Sequence, residues 1–230
     1  MTIESFNAWL IHKQPSGDTS TRLTFFTAEK GIVTCDYKGG RTPKKQAASQ
    51  LFTSLWVAVT SRNNWHYIQS LESPAQPINL QGISLFSALY LNELIYYTLK
   101  PQDAQPELFE AYQFTMHALE TVEERLAIEV LLRQFEWLLL KNCGYQFAEE
   151  TINSEPLSAD NRYVYIPGKG FIGAENGLPG GDILAVVAGQ FHEAAVLRTA
   201  KIMMRQAIDY LLDGRVLKSR SLFSRLGRHP

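Results

Sequence analysis

The chain has 230 residues, 45% of them hydrophobic and 20% charged, with a formal net charge of −1, enough length for one large core or two modest ones. No apolar run approaches the roughly 20 residues a bilayer-spanning helix needs, and Met1-Thr2-Ile3-Glu4 opens without the charged and apolar regions of a signal peptide. Cys35 and Cys143, the only two cysteines, exclude a disulfide framework and a zinc ribbon, which leaves a reducing cytosol as the expected setting.

Five β-runs occupy the first 72 residues. Ser5 to Lys13 alternates, with Phe6, Ala8, Leu10 and His12 on one face and Trp9 and Ile11 on the other. Thr21 to Thr27 follows a polar turn, Gly31 to Tyr37 follows the turn at Glu29-Lys30-Gly31, and Leu51 to Thr60 joins Trp65 to Glu72 through Arg62-Asn63-Asn64, residue types that tolerate tight hairpins. Between the third and fourth runs lies a basic glycine-containing stretch, Lys38-Gly39-Gly40-Arg41-Thr42-Pro43-Lys44-Lys45, read as a flexible cationic loop. The pattern fits an OB-like barrel better than half a sandwich, with an SH3-like barrel the nearest rival. Such a barrel with a cationic loop is a common way to hold a nucleic-acid backbone.

After Glu72 the character changes. Ser73-Pro74-Ala75-Gln76-Pro77 reads as a linker, and from Ile83 the spacing is helical, with Leu85, Leu89, Asn92, Tyr96 and Leu99 near one face. A helix so apolar belongs inside a helical core. A second helix is expected from about Pro106 to Glu120 and a third from about Val122 to Asn142, the third with Leu126, Val130, Leu131, Phe135, Leu138 and Leu139 inward and Gly144 as its cap. Tyr163 to Ile172 reads as a β-hairpin. A long helix from about Glu193 to Leu212 carries Arg198, Lys201 and Arg205 as one cationic stripe, and Leu217 to Leu226 offers one more helix. The expected fold class is α+β: residues 1–74 a five-stranded OB-fold barrel, residues 75–230 a mostly helical domain with a small hairpin insert near 160–173.

The near-zero net charge hides a segregation. Residues 1–72 carry a net +3, residues 73–160 a net −9, and residues 161–230 a net +5. Gly214 to Pro230 holds Arg215, Lys218, Arg220, Arg225 and Arg228 without an acid. Basic ends around an acidic middle argue for a polyanion-binding surface drawn from both termini, against the plainer reading of charge as solvation.

Motifs for enzyme chemistry fail on context. Gly168-Lys169-Gly170-Phe171-Ile172-Gly173 spells GxGxxG, but Ala174-Glu175-Asn176-Gly177-Leu178-Pro179 cannot open the helix that a dinucleotide fingerprint requires. His192-Glu193 begins like a zinc-protease helix, yet position 196 is Val196 where a second histidine is needed. Glu123, Glu124, Glu129 and Glu136 form an acidic helix face, read as solvated or partner-facing. There is no Walker loop and no nucleophile elbow, so no enzyme is expected and no cofactor or metal is assigned.

Several stretches in order carry a resemblance. They are Lys38-Gly39-Gly40-Arg41, Ala88-Leu89-Tyr90-Leu91-Asn92-Glu93-Leu94-Ile95, Arg133-x-Phe135-Glu136-x-x-Leu139-Leu140 with Cys143-Gly144-Tyr145, Tyr163-x-Tyr165 with Lys169-Gly170-Phe171, and Leu217-Lys218-Ser219-Arg220-Ser221-Leu222-Phe223. Spread over about 190 residues, they make the chain similar to the bacterial recombination mediators of the RecO family. The resemblance implies an N-terminal OB fold and a helical C-terminal domain. It also implies binding of single- and double-stranded DNA, annealing of complementary strands, and work with RecR and RecF to load RecA onto DNA coated by single-strand-binding protein, whose acidic C-terminal tail such proteins contact. A cytoplasmic, nucleoid-associated setting is implied with it. Some members carry a four-cysteine zinc module that this chain lacks, so Asn142 to Asp160 is expected as a metal-free loop.

On this reading Arg22, Lys38, Arg41, Lys44 and Lys45 of the barrel, with Arg198, Lys201, Arg205, Lys218, Arg220 and Arg225 near the end of the chain, are the expected DNA contacts. Lysine and arginine neutralise phosphates and release counterions, while exposed aromatics stack on unpaired bases. Arg133, a rare cation in the acidic middle, is the expected anchor for the tail's carboxylate; the competing role is a helix-surface pair with Glu129 or Glu136. Two other classes stay open: a metal-dependent nuclease, for which Asp18 and Asp36 make a poor cluster, and an OB-fold adaptor that binds only protein.

Overall fold

A computed structural model of the protein describes residues 3–63 and 65–226. They form two compact units: one built from the chain up to Thr121 together with the segment from Leu217, the other Val122–Val216.

In the first unit, β1 (Ile3–Ser16), β2 (Ser20–Thr27), β3 (Gly31–Tyr37), β4 (Ser54–Arg62) and β5 (Trp65–Glu72) close into a barrel in the order β1-β2-β3-β5-β4. Every pairing is antiparallel except β3 with β5. This is the OB-type closure that the five β-runs predict, and closing the sheet leaves few open edges. Period-two alternation sends Phe6, Ala8, Leu10, Leu23, Phe25, Val33, Cys35, Tyr37, Leu55, Val57, Val59 and Ile68 inside. Burial there pushes the Cys35 thiol up to about 12, so at neutral pH it packs as a small protonated hydrophobe.

The sequence alternation places His12 on the same face as Leu10. A β-bulge between Leu10 and His12 breaks that alternation, because the extra residue turns the later positions to the opposite side. Lys13 then pairs with inward-facing Leu23, and His12 pairs with Thr24 and stacks on Tyr96 with centroids 4.2 Å apart.

Two helices come after the barrel in this unit, α2 (Gly82–Thr98) and α3 (Pro106–Thr121). The second apolar face of β1 and β2 accounts for their association with it. Trp9 meets the Tyr112 and His117 rings edge-on, both at 5.7 Å, and Phe26 meets Phe109 at 5.3 Å. Tyr112 is fully buried and donates its hydroxyl to Asn92 Oδ1 at 2.6 Å, the partner a buried phenol requires. The compact unit therefore runs past the expected division at residue 74.

The basic stretch is not simply a loop. Pro43–Ala48 forms a short helix, α1, with proline in its first turn, the position where a missing N–H costs nothing. Gly39 takes the left-handed conformation (φ +64), and a Cβ at Gly40 would lie 2.9 Å from Thr21 side-chain atoms and the Tyr37 carbonyl. The tight turn into α1 thus needs both glycines.

The last described helix, α7 (Arg220–Leu226), lies in the first unit. Phe223 meets Phe86 and Tyr90 of α2 edge-on. The Glu93 carboxylate accepts the Lys218 and Ser219 backbone N–H groups at 2.9 Å each, and the Ser219 hydroxyl as well.

The second unit contains α4 (Arg125–Asn142), a three-stranded sheet in the order β7-β6-β8 made from β6 (Arg162–Ile166), β7 (Gly170–Gly173) and β8 (Leu178–Pro179), then α5 (Gly180–Val187) and α6 (Ala194–Leu211). The GxGxxG glycines fall in the β6–β7 turn and β7 itself. Gly168 has φ +73, and a Cβ there would lie 2.6 Å from the Tyr210 hydroxyl; the close-packed turn of a hairpin uses this glycine. Thr199 of α6 donates to Asp182 of α5 at 2.9 Å.

The inward face of α4 differs from the expected one. Leu126 is exposed, while Ile128, Leu131, Leu132, Phe135, Leu138 and Leu139 are buried together with Arg133 and Glu136. Those two charges enter as a pair, Arg133 Nη2 to Glu136 Oε1 at 2.7 Å, which is the condition for burying either. Glu136 is therefore not part of a solvated acidic face.

Candidate nucleic-acid interface

The outward positions of β2, β3 and β5 put charge and aromatic rings side by side. Arg22 is paired in register with Asp36, and Asp36 with Tyr67. Arg22 Nε donates to Asp36 Oδ1 at 2.9 Å and Nη2 to Oδ2 at 3.4 Å, a two-point contact that raises the Arg22 pKa. It also holds the guanidinium 4.9 Å from the centre of the Trp65 ring. Two residues further on, Tyr67 has Lys38 Nζ 5.5 Å from its ring centre. Cations over ring faces are attracted by the quadrupole of the ring.

Around the turn into α1 the cations are tied to the backbone. Arg41 donates to the Asp18 and Gly17 carbonyls at 3.0 and 2.8 Å, bracing the β1–β2 turn. Lys45 donates to the Lys38 carbonyl at 2.6 Å and sits 4.6 Å from the Tyr37 ring centre. Lys44 is exposed, as are Lys38 and Arg41. The first-unit cations named from sequence in the barrel thus gather around one turn and its neighbouring strands, on a folded support rather than a floppy one.

Sequence reasoning missed three members of this patch. Trp65 is 48% exposed at the start of β5, its cross-strand neighbour is Arg62, and Tyr67 shares its face. The alternation of β5 was the available signal, since Trp65 and Tyr67 stand opposite in phase to inward Ile68.

Near the end of the chain the named cations fall in two places. Arg198, Lys201 and Arg205 lie exposed along α6, with Lys201 Nζ 3.5 Å from Glu129 of α4. Lys218 is exposed and Arg220 half-buried in the segment that returns to the first unit. Arg225 is on α7 but its side chain is outside those described, and Arg228 lies outside the described residues. Arg133, the named partner contact, is buried against Glu136 in the second unit. Among the described residues no group of three or more histidine, cysteine or carboxylate side chains is arranged to hold a metal ion, and no helix is long and apolar enough to cross a membrane.

Comparison with known proteins gives this arrangement its context. Residues 1–76 match the family model described as Recombination protein O N terminal, and residues 80–211 match Recombination protein O C terminal. The chain is 50% identical over 226 residues to the DNA repair protein RecO of Legionella pneumophila (strain Corby), covering 97% of this chain and 99% of that one. It is 35% identical over 234 residues to the protein of the same name from Psychromonas ingrahamii, with 97% and 99% covered, and 35% identical over 227 residues to that of Marinobacter nauticus, with 94% and 92% covered. An OB-type barrel followed by helices, matched by both family models and by relatives of this identity along nearly its whole length, makes this chain a member of the RecO family of bacterial DNA repair proteins.

Proposed function

We propose that the protein is a recombination mediator. It binds single- and double-stranded DNA, anneals complementary strands and, with RecR and RecF, helps load RecA onto DNA coated by single-strand-binding protein. Such work belongs at the nucleoid, in the cytoplasm. The observation that carries this reading is the barrel patch in which Arg22, Lys38, Arg41 and Lys45 stand on strands and a braced turn beside the exposed Trp65 ring and the half-buried Tyr67 ring.

Annealing asks for no catalytic residue. Two strands must be held with their phosphates screened and their bases left to pair, and cations on a rigid support do that with little ordering cost. Arg198, Lys201, Arg205, Lys218, Arg220 and Arg225 are proposed as further phosphate contacts. Division of labour assigns residues 1–74 the primary DNA surface and residues 75–230 the protein partners and those added contacts. The acidic stretch 73–160, net −9, suits protein better than a like-charged backbone.

Replacing Lys38, Arg41, Lys44 and Lys45 together with alanine tests the reading. Binding to single strands of any sequence weakens alike, and the slope of log K against log salt flattens by up to about 0.7 for each phosphate that is no longer neutralised. Annealing of oligonucleotides precoated with single-strand-binding protein falls with it. An unchanged slope means that the turn is only a solvated brace.

A further inference from the structure

We propose that Trp65 and Tyr67 form a base-stacking platform that gives the barrel its grip on unpaired strands. The proposal rests on the reading that this barrel binds nucleic acid, and adds the ligand chemistry recognised there: the flat faces of unpaired bases rather than phosphate alone.

Four observations converge on it. Trp65 leaves 48% of its surface in solvent, although nothing in barrel closure requires a large ring at that position. Trp65 and Tyr67 lie two residues apart on β5, about 7 Å along the strand, and project to the same side. Each carries a cation over its face, Arg22 at 4.9 Å from the Trp65 centroid and Lys38 at 5.5 Å from that of Tyr67. Arg22 is fixed by both oxygens of Asp36, so the guanidinium and the indole form a preorganised stack that a base can extend or enter. Planar guanidinium stacks on rings and bases in a way that an ammonium cannot.

Trp56 supplies the internal contrast. It is 37% exposed on the same barrel, but its cross-strand neighbour is Glu72. A carboxylate there repels the backbone that would bring a base to the ring. The neighbour of Trp65 is Arg62, and the turn bearing Lys38, Arg41, Lys44 and Lys45 comes directly after β3, the strand that pairs with β5. Charge complementarity therefore selects a polyanion at Trp65, and the rings select one whose bases are exposed. A duplex presents phosphate to the same cations while its bases stay stacked inside.

The test compares three probes of equal length at one salt concentration: oligothymidylate, an abasic strand and a duplex. Trp65→Leu keeps apolar bulk without the ring, and Trp65→Phe keeps a ring; melting temperatures of both check the fold. Trp65→Leu is expected to weaken oligothymidylate binding by at least about fivefold, the lower end of what one stacked base contributes. Abasic and duplex affinity should hold, and Trp65→Phe should recover most of the loss. Should Trp65→Leu leave oligothymidylate affinity unchanged, or weaken all three probes alike, the stacking platform is overturned while nucleic-acid binding by the barrel stands. A wild-type protein that holds none of the three probes removes the underlying reading, and the platform with it.

Discussion

His12 shows how one residue departs from its pattern. The β1 alternation puts it inside the barrel, but the bulge after Leu10 turns it outward onto Tyr96. A bulge has no reliable signature in a single sequence, so this one was not legible, whereas inward Phe6, Ala8 and Leu10 were. Burial lowers the pKa of the His12 imidazole below the usual histidine value, and the nearby Glu93 charge works the other way. The folded state therefore favours the neutral ring, while the unfolded chain takes up a proton first as pH falls through about 6.5. Stability that is complete above that value drains away as pH drops towards the depressed folded value. His12→Phe keeps the stack and removes the titration. A plot of melting temperature against pH between about 7 and 5 should be flatter for the variant; parallel curves would assign the slope to other groups.

At the level of elements, regular periodicity was readable and local exceptions were not. The five strands, the helices α2, α3 and α6 and the β6–β7 hairpin fall close to their expected spans because apolar spacing alone specifies them. Helices α1 and α5 escaped: the first is six residues within a lysine-rich stretch, and the second opens on Gly180 and Gly181, residues that argue against helix on propensity. In the candidate site the cations were legible by charge, but the rings beside them required knowing which face of β5 looks outward.

Helix α4 yields its own expectation. Arg133 and Glu136 are both buried and joined at 2.7 Å, so removing one takes a charge-assisted contact away from a buried charge. Arg133→Ala should cost about 3–5 kcal/mol in denaturant unfolding, whereas Arg133→Met with Glu136→Leu should cost far less. An acidic tail peptide that uses Arg133 must compete with Glu136 for the guanidinium. Titrating a labelled peptide ending in an apolar residue against the folded double variant separates the roles: unchanged affinity places the tail elsewhere, and a large loss with DNA binding retained assigns it to Arg133.

For the molecule as a whole, the informative contact is the one that Glu93 makes with Lys218 and Ser219, 125 and 126 positions away. Ser219 is buried, so Glu93→Ala leaves polar groups there without their acceptor. A loss of about 1–3 kcal/mol in the unfolding of the first unit is expected; no change in the urea midpoint would mean that the segment's other contacts, those of Phe223 among them, hold it without Glu93.

That same contact sets a timetable. A chain emerging from the ribosome displays its barrel, α2 and α3 long before residue 217 is made, and domains begin to fold as they appear. The side of α2 bearing Phe86, Tyr90 and Glu93 then waits, uncovered, for the whole of the second unit to be synthesised. The nascent protein thus spends roughly half its translation with an apolar surface addressed to a segment not yet in existence, a window in which that surface is open to contact with other chains.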